Sequence, residues 1–150
     1  MGKEVLYLIG ESSLQESIPV KVRYLYKGDF NTILSNYLSL SNIPYFYLST
    51  KYGLLDPDCV IEPYSIKDLS KDSLFIWSIC CYHLISRYMK EKGLKDIVML
   101  STSGRYEILA KLLLEDYKVD EPIKYYVRKD LQVLWVKDLI QNRLENKLCN

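Results

Sequence analysis

The sequence predicts an α/β fold, a mostly parallel sheet of about four to five strands covered by helices on both faces. Two observations predict it. Short apolar runs alternate along the whole chain with longer segments whose apolar residues recur at helical spacing, the pattern of buried parallel strands joined by crossover helices. No internal repeat, low-complexity tract or linker interrupts that alternation. Residues 1–150 therefore read as one domain, large enough to bury roughly 70% of its unfolded-chain surface without a staple.

The elements follow in order. Val5 to Ile9 is a buried strand ended by Gly10, and Glu11 to Pro19 is polar loop. Val20 to Tyr26 alternates and reads as a strand or an extended connection. Gly28-Asp29 is a turn, with Asp29 capping a helix over Phe30 to Leu40 through Phe30, Ile33, Leu34, Tyr37 and Leu38. Ile43 to Leu48 is a second strand with Pro44 at its start, and the loop Ser49 to Tyr64 follows. Asp68 or Ser70 opens a long helix that ends at Gly93, a natural left-handed cap. Ile97 to Leu100 is a third strand, Ser101 to Gly104 a loop, and Arg105 to Tyr117 a helix. Ile123 to Val127 reads as a fourth strand, and Asp130 caps a last helix whose Lys137, Asp138, Arg143, Glu145 and Lys147 form a solvated face.

Composition narrows the function classes. Hydrophobic residues are 49% and charged residues 26% of the chain, with a net charge of +1, so any nucleic-acid contact must come from a local patch. Cys59, Cys80, Cys81 and Cys149 read as idle or buried thiols of a reducing compartment. The sole histidine, His83, shares an apolar run with Cys80 and Cys81 and is read as a core or helix-surface residue. No metal site and no cofactor is expected. The start MGKEVLYLIGESS suits a buried strand better than a leader, and no run approaches the roughly 20 apolar residues of a membrane span. The expectation is a soluble, cytoplasmic protein without a membrane partner. The 14 tyrosines and the scarcity of alanine point to an AT-rich or thermophilic source.

In a parallel sheet, ligands bind at the carboxyl ends of the strands. Three loops should converge there: Gly10–Ser13, Ser49–Tyr64 and Ser101–Arg105. The second holds Lys51, Tyr52, Asp56, Asp58, Glu62 and Tyr64 among turn-forming Gly53, Pro57 and Pro63. A loop of this length without secondary structure of its own is uncommon unless it has a function. Its carboxylates could act as a general base, pair with Lys51 or hold a cation, or Asp56-Pro57-Asp58 could be a plain type I turn. Ser103, Gly104 and Arg105, between a strand and a helix, suit a phosphate or carboxylate, although capping by Ser103 also explains much of that segment. Lys21, Arg23 and Lys27 alternate with Val22, Tyr24 and Tyr26. That stripe could hold phosphates and stack bases, or could be the solvent face of an edge strand.

The stretch LSTKYGLLDPDCVIEPY (residues 48–64) resembles the central motif of a widespread family of small domains of unknown function found in bacteria, archaea and their viruses. It is similar, more distantly, to the signature of the peroxide-stress YaaA family. VLYLIGESS resembles that small family's first strand and loop. Leu25-Tyr26-Lys27-Gly28 with Phe30, and Ser103-Gly104-Arg105-Tyr106, are similar to two further blocks. The resemblance covers nearly the whole chain. Two segments depart from it: Ser12, Ser13 and Leu14 stand where the family has lysines, and Arg128-Lys129-Asp130-Leu131 where it has a glycine-rich stretch.

The resemblance implies a three-layer α/β/α fold and a distant kinship with uracil-DNA-glycosylase-like domains, hence a nucleic-acid or nucleobase role and an archaeal or viral source. Under it Asp56, Asp58 and Glu62 are the candidate catalytic residues. Lys51, Tyr52, Tyr64, Ser103, Gly104, Arg105, Arg23 and Tyr26 are the candidate binding residues for DNA, RNA or a nucleotide. The alternatives are a binding protein without catalysis, or a structural member acting through protein contacts, for instance as a homodimer through the Trp77–Met89 helix.

Overall fold

The computed structural model of the protein describes residues 5–149, without the side chains of 145–149. The readings made for residues 1–4, Glu145, Lys147 and Cys149 therefore fall outside the described residues and side chains. In chain order the elements are β1 (Val5–Gly10), β2 (Val20–Lys21), α1 (Val22–Leu25), α2 (Asp29–Leu40), β3 (Tyr45–Ser49), β4 (Gly53–Leu55) and β5 (Val60–Ile61). They continue with α3 (Lys71–Lys92), β6 (Asp96–Leu100), a 3-10 turn (Gly104–Tyr106), α4 (Glu107–Leu114), β7 (Lys118–Asp120) and α5 (Lys129–Cys149).

Five strands form one sheet in the order β4-β3-β1-β6-β7. Every neighbour pair is parallel except the β3–β4 hairpin. Side chains alternate across the sheet with the period of two that a strand imposes. Tyr7 and Ile9 of β1, Tyr45 and Tyr47 of β3, and Leu100 of β6 enter one core, against α2 and α5. Leu6 and Leu8, Leu48, and Ile97 and Met99 enter the other, against α3 and α4. The chain is thus a three-layer α/β/α fold with two apolar cores. Each fully buried Leu or Ile in them contributes roughly 1.5–3 kcal/mol of transfer free energy. The helix ends follow local chemistry: Ser70 caps α3 by accepting from the Ser73 amide, and Gly93 closes it at φ 66°, as the sequence predicts.

Five expectations need correction. Neither Asp29 nor Asp130 is a cap: each lies inside the first turn of its helix, and α2 is preceded by Gly28 without a side-chain bond. Ile123–Val127 is not a strand. Only Ile123 is buried, while Tyr125 and Val127 are exposed, and the segment turns through Lys124 N–H to Glu121 O and Tyr126 N–H to Ile123 O. The fourth parallel strand is instead Lys118–Asp120, paired to β6 alone. An edge strand needs no apolar run, because one flank of it faces water. The helix predicted to reach Tyr117 accordingly stops at Leu114.

Val20–Tyr26 is a two-residue strand followed by a helical turn. Val22 and Leu25 are both fully buried, and a helix puts residues three apart on one face where a strand would separate them. Finally, the Ser49–Tyr64 segment has structure of its own, in β4 and in β5, which pairs with β2.

Candidate functional site

The strand order decides where a site can form. From β1 the chain crosses to β3 on one side, then returns past β1 to β6 on the other. The carboxyl ends of β1 and β6 are therefore a topological switch point, where neighbouring loops diverge and leave a crevice. A cleft of about 960 Å³ opens there, lined by Gly10 to Leu14, Lys27 to Asn31, Leu100 to Ser103, Arg105 and the start of α5.

At its floor lies Glu11, the first residue after β1, whose side chain is 0% exposed. Its Oε1 accepts the Tyr64 hydroxyl at 2.6 Å. Its Oε2 accepts Thr50 Oγ1–H at 2.8 Å and Arg105 Nη1–H at 3.1 Å. The Thr50 amide lies 3.2 Å from both oxygens. The Tyr106 hydroxyl is 3.1 Å from Oε2 and accepts the Glu11 amide at 3.1 Å. A buried charge is tolerable only when paired and hydrogen-bonded, and here one cation and four further donors meet it.

The surroundings explain why this is possible. Tyr106 reaches Glu11 by passing over Gly10, where an added Cβ would lie 2.8 Å from the ring and 2.9 Å from Ser101 Oγ. Ser49, fully buried at the end of β3, accepts the Lys51 and Tyr52 amides through its hydroxyl and so shapes the turn that presents Thr50. Trp77 of α3 donates its indole N–H to the Ser49 carbonyl at 2.8 Å. Tyr64 is fixed through its own amide to Gln15 Oε1, and its hydroxyl stands 2.6 Å from that of Tyr26. Burial is the largest cause raising the phenol pKa values of Tyr26, Tyr64 and Tyr106, and neighbouring Glu11 adds to each. All three remain hydroxyl donors at neutral pH.

Of the residues singled out in the sequence, the structure brings Tyr64 and Arg105 onto Glu11, with Tyr26 bonded to Tyr64 behind them, and of this group Arg105 lines the cleft together with Ser103. Ser103 also caps the 3-10 turn by accepting the Arg105 amide, and Gly104 is that turn's first residue. Lys51 and Tyr52 sit at the hairpin tip beside Tyr64, with Lys51 Nζ 5.1 Å from the Tyr52 ring centre and 5.9 Å from that of Tyr64. Asp56, Asp58 and Glu62 are exposed and do not line the cleft. Asp56 accepts the Asp58 amide, the signature of an Asx turn. Asp58 pairs with Arg23 at 2.6 Å and with Lys21 at 3.4 Å. The basic stripe is thus partly neutralised, and because α1 is helical its members do not share one strand face.

The sequence does not single out Glu11, which reads as one polar residue at the start of a polar loop. The available signal was its position directly after Gly10, at the carboxyl end of the first buried strand.

With this geometry in view, comparison with known proteins yields one match. The family model described as a family of unknown function, DUF6884, matches residues 6–138, and the chain belongs to that family. No curated protein and no solved structure matches it significantly. No helix among the described residues is long and apolar enough to cross a membrane.

Proposed function

We propose that the chain recognises a nucleoside or nucleoside monophosphate in the β1/β6 cleft, with Arg105 on the phosphate and the apolar wall of Leu14, Phe30 and Leu134 against the base. The observation that carries this reading is the Arg105 guanidinium. One nitrogen is held by buried Glu11, while the side chain is 29% exposed on a cleft wall that also carries Ser12, Ser101, Thr102 and Ser103. A guanidinium fork with hydroxyls beside it matches phosphate geometry, and a volume of this size accommodates a mononucleotide.

Charge favours a compact ligand over a polymer. Lys27, Arg105, Lys129 and Lys137 on the cleft lining are matched by four carboxylates, so no net positive field is available to a nucleic-acid backbone. The nucleobase link suggested by the sequence resemblance is kept, and moved from the turn carboxylates to the cleft.

Calorimetric titration with nucleosides, nucleoside mono- and triphosphates and single-stranded oligonucleotides tests the proposal. Monophosphates should bind, and Arg105→Ala should weaken them by about tenfold or more, since a hydrogen bond to a charged group contributes about 1.5–3 kcal/mol. Absence of binding across the panel, or binding indifferent to Arg105→Ala, would discard it. Preferential oligonucleotide binding with a steep salt dependence would favour a nucleic-acid-binding role instead.

A second reading concerns self-association. Ile76, Cys80 and Leu84 are exposed at four-residue spacing along α3, a stripe suited to a second copy of the chain. Sedimentation showing a monomer at high concentration would remove it.

A further inference from the structure

Glu11 looks at first like the cleft's catalytic carboxylate. Three facts speak against that. Its side chain has no exposed surface. Both oxygens already accept hydrogen bonds from Thr50, Tyr64, Arg105 and Tyr106, so no lone pair is left for a substrate proton. Arg105, by contrast, meets Glu11 through Nη1 and keeps part of its surface on the cleft.

We infer that Glu11 is a positioning residue that aims the Arg105 guanidinium into the cleft, and that the Ser49–Tyr64 segment serves this site as the clamp on Glu11 through Thr50 and Tyr64. The inference rests on the reading of the cleft as an anion-binding site. Its physical basis is preorganisation. An arginine side chain carries rotamer entropy that a bound anion must otherwise freeze. A carboxylate at 3.1 Å, itself immobilised by two loops, freezes it beforehand. The inference also accounts for the motif segment: Thr50 and Tyr64 flank it at either end and converge on one carboxylate, while Asp56 and Asp58 between them face solvent.

The test is a double-mutant cycle with adenosine 5′-monophosphate as probe, combined with ¹⁵N relaxation of the Arg105 Nε–Hε group in the unliganded protein. Glu11→Gln, of nearly the same shape, should lower affinity about tenfold. Adding Arg105→Ala to it should cost little more than Arg105→Ala alone, because coupled residues are not additive. The heteronuclear NOE of Arg105 should fall in Glu11→Gln. A residue needed only for folding would leave the affinity of the folded fraction and the arginine's mobility unchanged.

Should Glu11→Gln fail to fold, Tyr64→Phe removes one donor to Glu11 and should give the same effects at smaller size. Wild-type binding that depends on Arg105 but not on Glu11 or Tyr64, or strictly additive losses, overturns the positioning role and leaves the cleft reading standing. No binding by the wild type overturns the cleft reading itself, whereas a rigid Arg105 in both Glu11→Gln and Tyr64→Phe overturns the positioning role whether or not a ligand binds.

Discussion

Two arginine–carboxylate pairs in this molecule have opposite polarity toward water. In Glu11–Arg105 the carboxylate is fully buried and the arginine is 29% exposed. In Asp58–Arg23 the arginine is 17% exposed and the carboxylate 58%. The first pair therefore presents a cation to a cleft, anchored from below by a saturated acceptor. The second presents a carboxylate to solvent, anchored from below by an arginine that also donates to Ser39 at 2.8 Å. The same two functional groups, guanidinium and carboxylate, thus give the proposed anion site at one place and a surface staple at the other. What separates them is which partner the fold covers. For one pair, three loops from β1, β3 and β6 close over the acid. For the other, only a turn lies above it.

The largest break in this comparison is to remove each acid in turn. Glu11→Ala leaves Arg105 unpaired and strands donors from Thr50, Tyr64 and Tyr106. It should cost about 3–5 kcal/mol in urea unfolding, the range for breaking a buried pair from one side. Alkaline pH attacks the same knot without mutation. Tyr26 and Tyr106 have phenol pKa values raised by burial first and by neighbouring acceptors second, whereas the unfolded chain titrates near 10. Their folded-state pKa lies above the unfolded one, so their contribution is complete below about pH 10 and is lost as pH rises beyond it. By pH 11 the two together should cost about 2–3 kcal/mol, seen as a falling denaturation midpoint between pH 9 and pH 11.

Gly10→Ala sharpens the comparison sterically. A methyl 2.8 Å from the Tyr106 ring must push it off Glu11, at about 1–3 kcal/mol by the general cost of overpacking, with a weakened ligand response. The smallest effect belongs to the other pair. Asp58→Ala should cost about 1 kcal/mol, because its carboxylate is screened by solvent and Arg23 keeps its bond to Ser39, and leave ligand affinity unchanged. A large loss of binding on Asp58→Ala would return the site to the turn carboxylates.

Much of the fold was legible because its signals are local. Val5–Ile9, Ile43–Leu48 and Ile97–Leu100 are apolar runs because helices cover both faces of the sheet and bury nearly every side chain, and α2 and α3 carry their own periodicity and, in α3, a serine and a glycine cap. The misses share a cause. Lys118–Asp120 is a strand only because β6 offers it an edge, and Ile123–Val127 is not one because only Ile123 is buried there. Neither fact is written in composition.

The site divides the same way. The sequence by itself determined which loops lie at the carboxyl ends of the strands, since strand ends and a long motif segment are readable in one dimension, and it named Tyr64, Tyr26 and Arg105 among its candidates. Only the tertiary structure decided that Tyr64 and Arg105 meet on Glu11, with Tyr26 behind Tyr64, and that Asp56 and Asp58 turn outward. Burial of a charge is a property of what packs above it, and the donors that make it tolerable come from residues 39, 53, 94 and 95 positions away.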